Sequence, residues 1–231
     1  EALKHAVAYQ ELLQDFDVAL KHHSVQGAIR RADAAIPDLI ASGDLMQAQE
    51  VLFRLKTAYE DTSRLQTFDG YDEQLDDVTT QLQLLRRYDP MDFYDLYRRR
   101  AEARGDEPAE IRPFNPSLAG RWPQEVSGIR VEMLRSLPDT AAREHINSGG
   151  WLPLLEGGIE ALRTLAATPM IDDTFPGLAD PERVDAWIEG LDLIEQGLEP
   201  SLAKAEKPRD LGREVIDDIS TLNDQTVNLP L

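Results

Sequence analysis

Cysteine is absent from the 231 residues, and histidine occurs only four times. Without cysteine, disulfide scaffolds, thiol nucleophiles and cysteine-ligated zinc or iron–sulfur sites are excluded. No histidine follows a glutamate by three positions, and no two histidines are three or four residues apart. The helical metal motifs Glu-x-x-His and His-Glu-x-x-His are therefore excluded as well. A metal site that combines His22 or His23 with carboxylates of a neighbouring helix stays open as an alternative.

Long apolar runs are also missing, because none approaches the roughly 20 residues that a membrane-spanning helix needs. We therefore expect no direct membrane insertion within this segment. Phosphate-binding loops, dinucleotide fingerprints and the Gly-x-Ser-x-Gly elbow do not occur in the sequence. Since no catalytic constellation is found, we predict that the protein is not an enzyme, and we predict no catalytic residue, no metal ligand and no cofactor.

Positive charge is scarce relative to negative charge. The chain has 24 basic and 43 acidic side chains, a net charge of -19. Such a surface repels nucleic acid and anionic lipid, so we predict no nucleic-acid partner. Residues 124–231 hold 9 basic and 21 acidic side chains, a net of -12. This part suits a basic partner or mimicry of nucleic acid, although a solvated acidic surface is the simpler interpretation.

The apolar residues that are present follow a helical period. In the stretch from Asp44 to Leu65 they recur at steps of three and four, at Leu45, Ala48, Leu52, Leu55 and Tyr59. This spacing forms one face of a helix that packs on other helices. Similar stripes with short joins cover residues 1–87, and no segment alternates with the period of a strand. We predict an all-α protein in which an up-and-down helical bundle over residues 1–87 precedes a second helical part. The sequence leaves open whether the two parts share one core.

Several local predictions follow from the same period. Residues 1–22 read as one continuous helix, which would hold His5 and His22 roughly 25 Å apart. We expect Thr67–Gly70 to break the chain, Pro37 to kink or split its helix at Ile36, Pro200 to interrupt its helix, and Asp44 to cap a helix through its side chain. A buried stripe is predicted at Val126, Ile129, Met133 and Leu137, and residues 223–231 are expected to fray.

Proline and glycine concentrate between Ala103 and Pro123, with Pro108, Pro113, Pro116, Pro123, Gly105 and Gly120. This is the longest irregular stretch of the chain and predicts a linker or a long loop. The domains we predict are an N-terminal helical bundle at 1–100, a Pro-rich linker or long loop at 101–123, and a C-terminal helical part at 124–231.

Aromatic and arginine side chains cluster between Tyr88 and Arg100, behind a helix start at Asp89-Pro90. Interfaces use such side chains as anchors, because they bury a large area at a small entropic cost. The partner-binding residues we predict are Phe93, Tyr94, Tyr97, Arg98, Arg99 and Arg100. The alternative interpretation is that the aromatics close one end of the bundle while the arginines pair with the protein's own acids.

These features favour a non-enzymatic helical interaction or scaffold module that binds a protein partner or a second copy of itself. The alternative is an extracytoplasmic ligand-sensing or metal-binding helical bundle excised from a larger membrane-anchored protein. The abrupt start at Glu1 and the lack of cysteine motivate this alternative. The compartment itself is not predicted, because a chain without cysteine is compatible with both oxidising and reducing surroundings.

Overall fold

A computed structural model describes residues 2–13, 16–60, 62–107, 110–118, 120–130, 132–133, 136, 141 and 150–230. The regular elements in this part are helices, and it contains no strand, which confirms the predicted all-α class. The α-helices in it are α1 Ala2–Leu13, α2 Phe16–Lys21, α3 His23–Ala41, α4 Leu45–Tyr59, α5 Leu65–Tyr88, α6 Pro90–Arg104, α7 Trp122–Val126, α8 Leu152–Ala166, α9 Pro181–Lys204 and α10 Pro208–Gln225. Short 3-10 turns lie at Pro116–Leu118, Ile171–Asp173 and Pro176–Ala179.

The chain divides into two compact units, Glu1–Ala119 and Gly120–Leu231. The division falls within the Pro-rich stretch at 101–123.

Helix α4 is the centre of the first unit, where it packs against α1, α2, α3, α5 and α6. Its stripe is buried completely at Leu45, Ala48, Leu52 and Leu55, as the spacing predicted. Gly43 precedes it with a φ of 74°, a left-handed conformation that suits the end of α3. The Asp44 side chain makes no capping hydrogen bond, so the predicted cap was wrong.

Three other local predictions for this unit differ from the structure. Thr67–Gly70 lies inside α5, and α3 continues through Pro37, so the split at Ile36 was wrong. The predicted single helix over 1–22 is two helices, α1 and α2, and His5 and His22 line the same pocket. A glycine or a proline costs a helix about 1 to 3 kcal/mol, which the burial of neighbouring apolar side chains outweighs. Periodicity alone does not show where such burial makes a helix bend or continue.

The second unit is organised around α9, which packs against α8 and α10. Its Trp187, Leu191 and Leu198 are almost fully buried. The helix begins where Asp180 Oδ1 accepts a hydrogen bond from the Glu182 N–H at 3.1 Å. It continues through Pro200 to Lys204, so the predicted interruption at Pro200 was wrong.

Two predictions for residues after Gly120 were also wrong. Helix α7 ends at Val126, and Ile129 and Met133 are 52% and 47% exposed rather than parts of a buried stripe. Leu137 lies outside the described residues. The C-terminal segment does not fray through residue 230, because Val227 and Leu229 are buried in the unit. Both segments contain apolar residues, but the sequence does not show which of them packs against another part of the unit.

Candidate partner-binding groove

The predicted aromatic and arginine cluster lies on α6, whose ends are both defined by local chemistry. Asp89 Oδ1 accepts a hydrogen bond from the Asp92 N–H at 3.1 Å, and Pro90 occupies the first helical position. The helix ends at Gly105, which adopts a φ of 86° that residues with a side chain rarely adopt. Helix α6 packs on α4 and α5, so its residues are held in a fixed register on the bundle.

The six predicted residues do not share one surface. Phe93, Tyr97 and Arg100 line a groove against α4 and α5. Tyr94 packs instead on Phe114, with the ring centroids 5.5 Å apart. Phe93 and Tyr94 are adjacent on the helix and therefore do not share a face. Tyr94 also contacts Tyr97, with the ring centroids 6.2 Å apart, but Tyr94 does not line the groove.

The remaining two arginines of the prediction are exposed. Arg98 contacts Asp95 at 3.3 Å and Glu102 at 3.4 Å along the same helix. These two carboxylates raise the pKa of Arg98, and the hydrogen bond that Arg98 donates to Asp95 is the largest cause. Arg99 is exposed and does not line the groove. Exposed pairs of this kind contribute little to stability.

The groove that Phe93, Tyr97 and Arg100 line has a volume of about 830 Å³. We call it the arginine groove, because arginines from all three helices line it. Its walls are Met46, Gln49, Glu50, Phe53 and Arg54 of α4, Leu75, Asp76, Thr79, Leu82, Gln83 and Arg86 of α5, and Phe93, Tyr97, Arg100 and Arg104 of α6. This volume falls in the range of small-molecule pockets in proteins.

One carboxylate inside the groove holds two of its arginines. Glu50 Oε1 accepts a hydrogen bond from Arg54 at 2.6 Å, and Glu50 Oε2 forms an ion pair with Arg100. The Nε atom of Arg100 is buried and makes no hydrogen bond in the structure. Arg86 is exposed and makes no ion pair with any described residue. The groove therefore keeps guanidinium N–H donors that its own carboxylates do not satisfy.

Phe53 is the exposed apolar residue of the groove, and the sequence alone did not point to it. It is 58% exposed at the groove, whereas the preceding Leu52 is completely buried. The sequence contains a trace of this arrangement, because Phe53 lies outside the Leu45–Tyr59 stripe. An apolar residue that lies off the buried stripe of a packed helix is expected to be exposed, and at Phe53 this residue is aromatic. Arg54, Arg86 and Arg104 were missed because they come from separate parts of the sequence.

A second pocket, of about 460 Å³, lies where α1 meets the start of α3. It is lined by His5, His22 and Arg31 together with Ala2, Ser24, Val25 and Ala28. Nδ1 of His22 is 2.7 Å from Oγ of Ser24. Among the described residues, no group of three or more histidines and carboxylates is placed to hold a metal ion.

Comparison with protein-family models, with curated proteins and with solved structures finds no match to this chain. None of the helices in the described residues combines the length and the apolar character that crossing a membrane requires. The fold defines the class of the protein, which is an acidic all-α chain of two helical units.

Proposed function

We propose that this protein is a non-enzymatic helical interaction module that holds a protein partner in the arginine groove. The observation that carries the proposal is the exposed ring of Phe53, which lies beside the buried Leu52 on the central helix of the first unit. Exposed aromatic rings grouped with arginines are the composition of interface anchors.

The framework around the groove supports the same proposal. Each wall is a helix that packs on a neighbour, so the groove is formed without a ligand. A preformed site saves a partner the entropic cost of ordering it. Phe93 and Tyr97 are only half-buried, so they add aromatic surface that the fold does not cover.

The test compares two double variants of the first unit, one inside the groove and one outside it. F53S/Y97S removes aromatic surface from the groove, and R98A/R99A changes the exposed face of α6 outside it. Immobilised wild-type and R98A/R99A proteins should capture the same partner, which F53S/Y97S should lose. The captured protein is then purified and its affinity measured against all three proteins.

Circular dichroism should remain helical for each protein, so that a loss of capture is not a loss of fold. Self-association is tested in parallel by sedimentation over a range of concentrations. If F53S/Y97S binds the purified partner as well as the wild type does, the groove is not the binding site.

A further inference from the structure

The charge of the arginine groove is opposite to the charge of the unit that contains it. Residues 1–119 carry 14 basic and 22 acidic side chains, a net of -8. The groove lining carries four arginines and two carboxylates, a net of +2. A cationic groove in an anionic unit selects for ligands of negative charge, because complementary potentials favour encounter and opposed ones exclude the wrong partner.

The guanidinium groups of the arginine groove are placed to bind several separate carboxylates of a ligand. Arg54 and Arg100 share Glu50, which leaves most of their ten N–H donors unused by this carboxylate. Arg104 pairs with Asp106 at 3.2 Å, and half of its side chain is exposed. Arg86 has no ion pair among the described residues. These N–H donors bind carboxylates more strongly than they bind neutral acceptors, because hydrogen bonds between charged groups are stronger.

The dimensions of the groove suit a helix. Its α5 wall extends from Leu75 to Arg86, and its α6 wall from Phe93 to Arg104. At about 1.5 Å per residue each wall is roughly 16 Å long, or three helical turns. A helix lying along such walls presents apolar residues at steps of three and four to the aromatic surface, and its flanking residues meet the rims.

From these observations we infer that the occupant of the arginine groove is an acidic amphipathic helix of a protein partner. The inference rests on the proposed function and adds the chemistry of the partner to it. The apolar face of the partner helix covers Phe53, Phe93 and Tyr97, while carboxylates on both sides of that face pair with Arg54, Arg86, Arg100 and Arg104. Glu50 occupies the position of a partner carboxylate until the partner binds.

Three labelled synthetic peptides of about 15 residues, enough for four helical turns, provide the probe. The first has leucines at i, i+3, i+4 and i+7 with flanking glutamates. The second has the same leucines with flanking lysines, and the third keeps the glutamates but replaces the leucines by serine. Fluorescence anisotropy should show saturable binding of the first peptide only, and this binding should weaken as salt is added.

Two variants that lose the same charge distinguish an effect of the groove from an effect of the protein's net charge. R86A/R104A removes two arginines of the groove, and R98A/R99A removes two arginines outside it. R86A/R104A should bind the glutamate peptide about fivefold more weakly, the effect expected of two rim charges, while R98A/R99A should bind like the wild type. E50Q should bind it more tightly, because it frees Arg54 and Arg100.

The outcomes distinguish this inference from the proposal beneath it. If the lysine peptide binds as well as the glutamate peptide, or if R98A/R99A weakens binding as much as R86A/R104A does, the acidic partner is excluded while the groove remains a binding site. If no peptide binds and F53S/Y97S retains the captured partner, the proposed function fails as well. If the wild type dimerises through the groove and the peptides do not compete, a second copy of the chain is the occupant and the inference is overturned.

Discussion

The side-chain amide of Asn223 makes two hydrogen bonds with the backbone of Leu229. Its Nδ2 donates to the Leu229 carbonyl at 2.9 Å, and its Oδ1 accepts from the Leu229 N–H at 2.8 Å. Asn223 is 1% exposed, and the intervening Val227 is completely buried. Gly177 lies against the Val227 carbonyl, where a Cβ would overlap the backbone. One amide therefore attaches the C-terminal segment to α10 and keeps it in the core of the second unit.

We expect N223L to destabilise the second unit by about 2 to 3 kcal/mol, because it leaves a buried donor and a buried acceptor of Leu229 without partners. All three tryptophans of the chain, Trp122, Trp151 and Trp187, lie in this unit. Urea unfolding followed by tryptophan fluorescence therefore reports on it selectively. D224N changes the exposed neighbouring residue and should leave the midpoint unchanged. An equally stable N223L protein would show that the amide does not hold the segment.

Two glycines on different helices should respond to alanine in opposite directions. At Gly212 in α10 an added Cβ would overlap the buried Trp151 ring, and we expect G212A to cost about 1 to 3 kcal/mol. At Gly157 in α8 nothing lies within 4 Å of such a Cβ. G157A should stabilise its helix by about 0.5 to 1 kcal/mol. Thermal melts followed by tryptophan fluorescence compare the two, and a stabilised G212A would disprove the close contact.

Adjacent residues of α4 should differ in what they contribute to stability. L52A deletes a completely buried side chain and should cost about 3 kcal/mol. F53A deletes a ring that is 58% exposed and should change the free energy of unfolding by less than about 0.5 kcal/mol. The first unit has no tryptophan, so far-UV circular dichroism in urea is the measurement. A large loss in F53A would mean that Phe53 serves the fold, which would weaken the argument for a binding groove.

The stability of the first unit should fall at high pH through Tyr71. Burial raises the pKa of the Tyr71 hydroxyl above its ordinary value of about 10, and so does its hydrogen bond to Asp33 at 3.0 Å. The folded state then holds its proton at a pH where the unfolded chain has released it. This stabilisation is complete below about pH 10 and is lost as the pH rises further.

Urea unfolding followed by circular dichroism at several pH values tests this dependence against Y71F. The pKa of Lys56 is also raised, chiefly by its hydrogen bond to Asp72, but this contribution is present in both proteins and cancels in the comparison. The wild type should lose more stability than Y71F between about pH 9 and 11. Parallel pH profiles would contradict the predicted coupling.

The candidate site was only partly visible in the sequence. The cluster on α6 was found because its residues are contiguous, and the helix start at Asp89-Pro90 placed them on one helix. Adjacent positions point in different directions on a helix, however, so Tyr94 packs on Phe114 while Phe93 lines the groove. The arginines of α4 and α5 join the site only after these helices have packed against α6.

By itself, the sequence determined the all-α class, most of the helices and the buried stripe of α4. Each of these follows from short-range spacing, which brings apolar side chains to one face of a helix whatever surrounds it. Only the tertiary structure decided that α5 continues through Gly70, that His5 and His22 meet in one pocket, and that the segment after Asn223 is buried. These outcomes depend on contacts between residues distant in the chain, whose burial outweighs local preferences of about 1 kcal/mol.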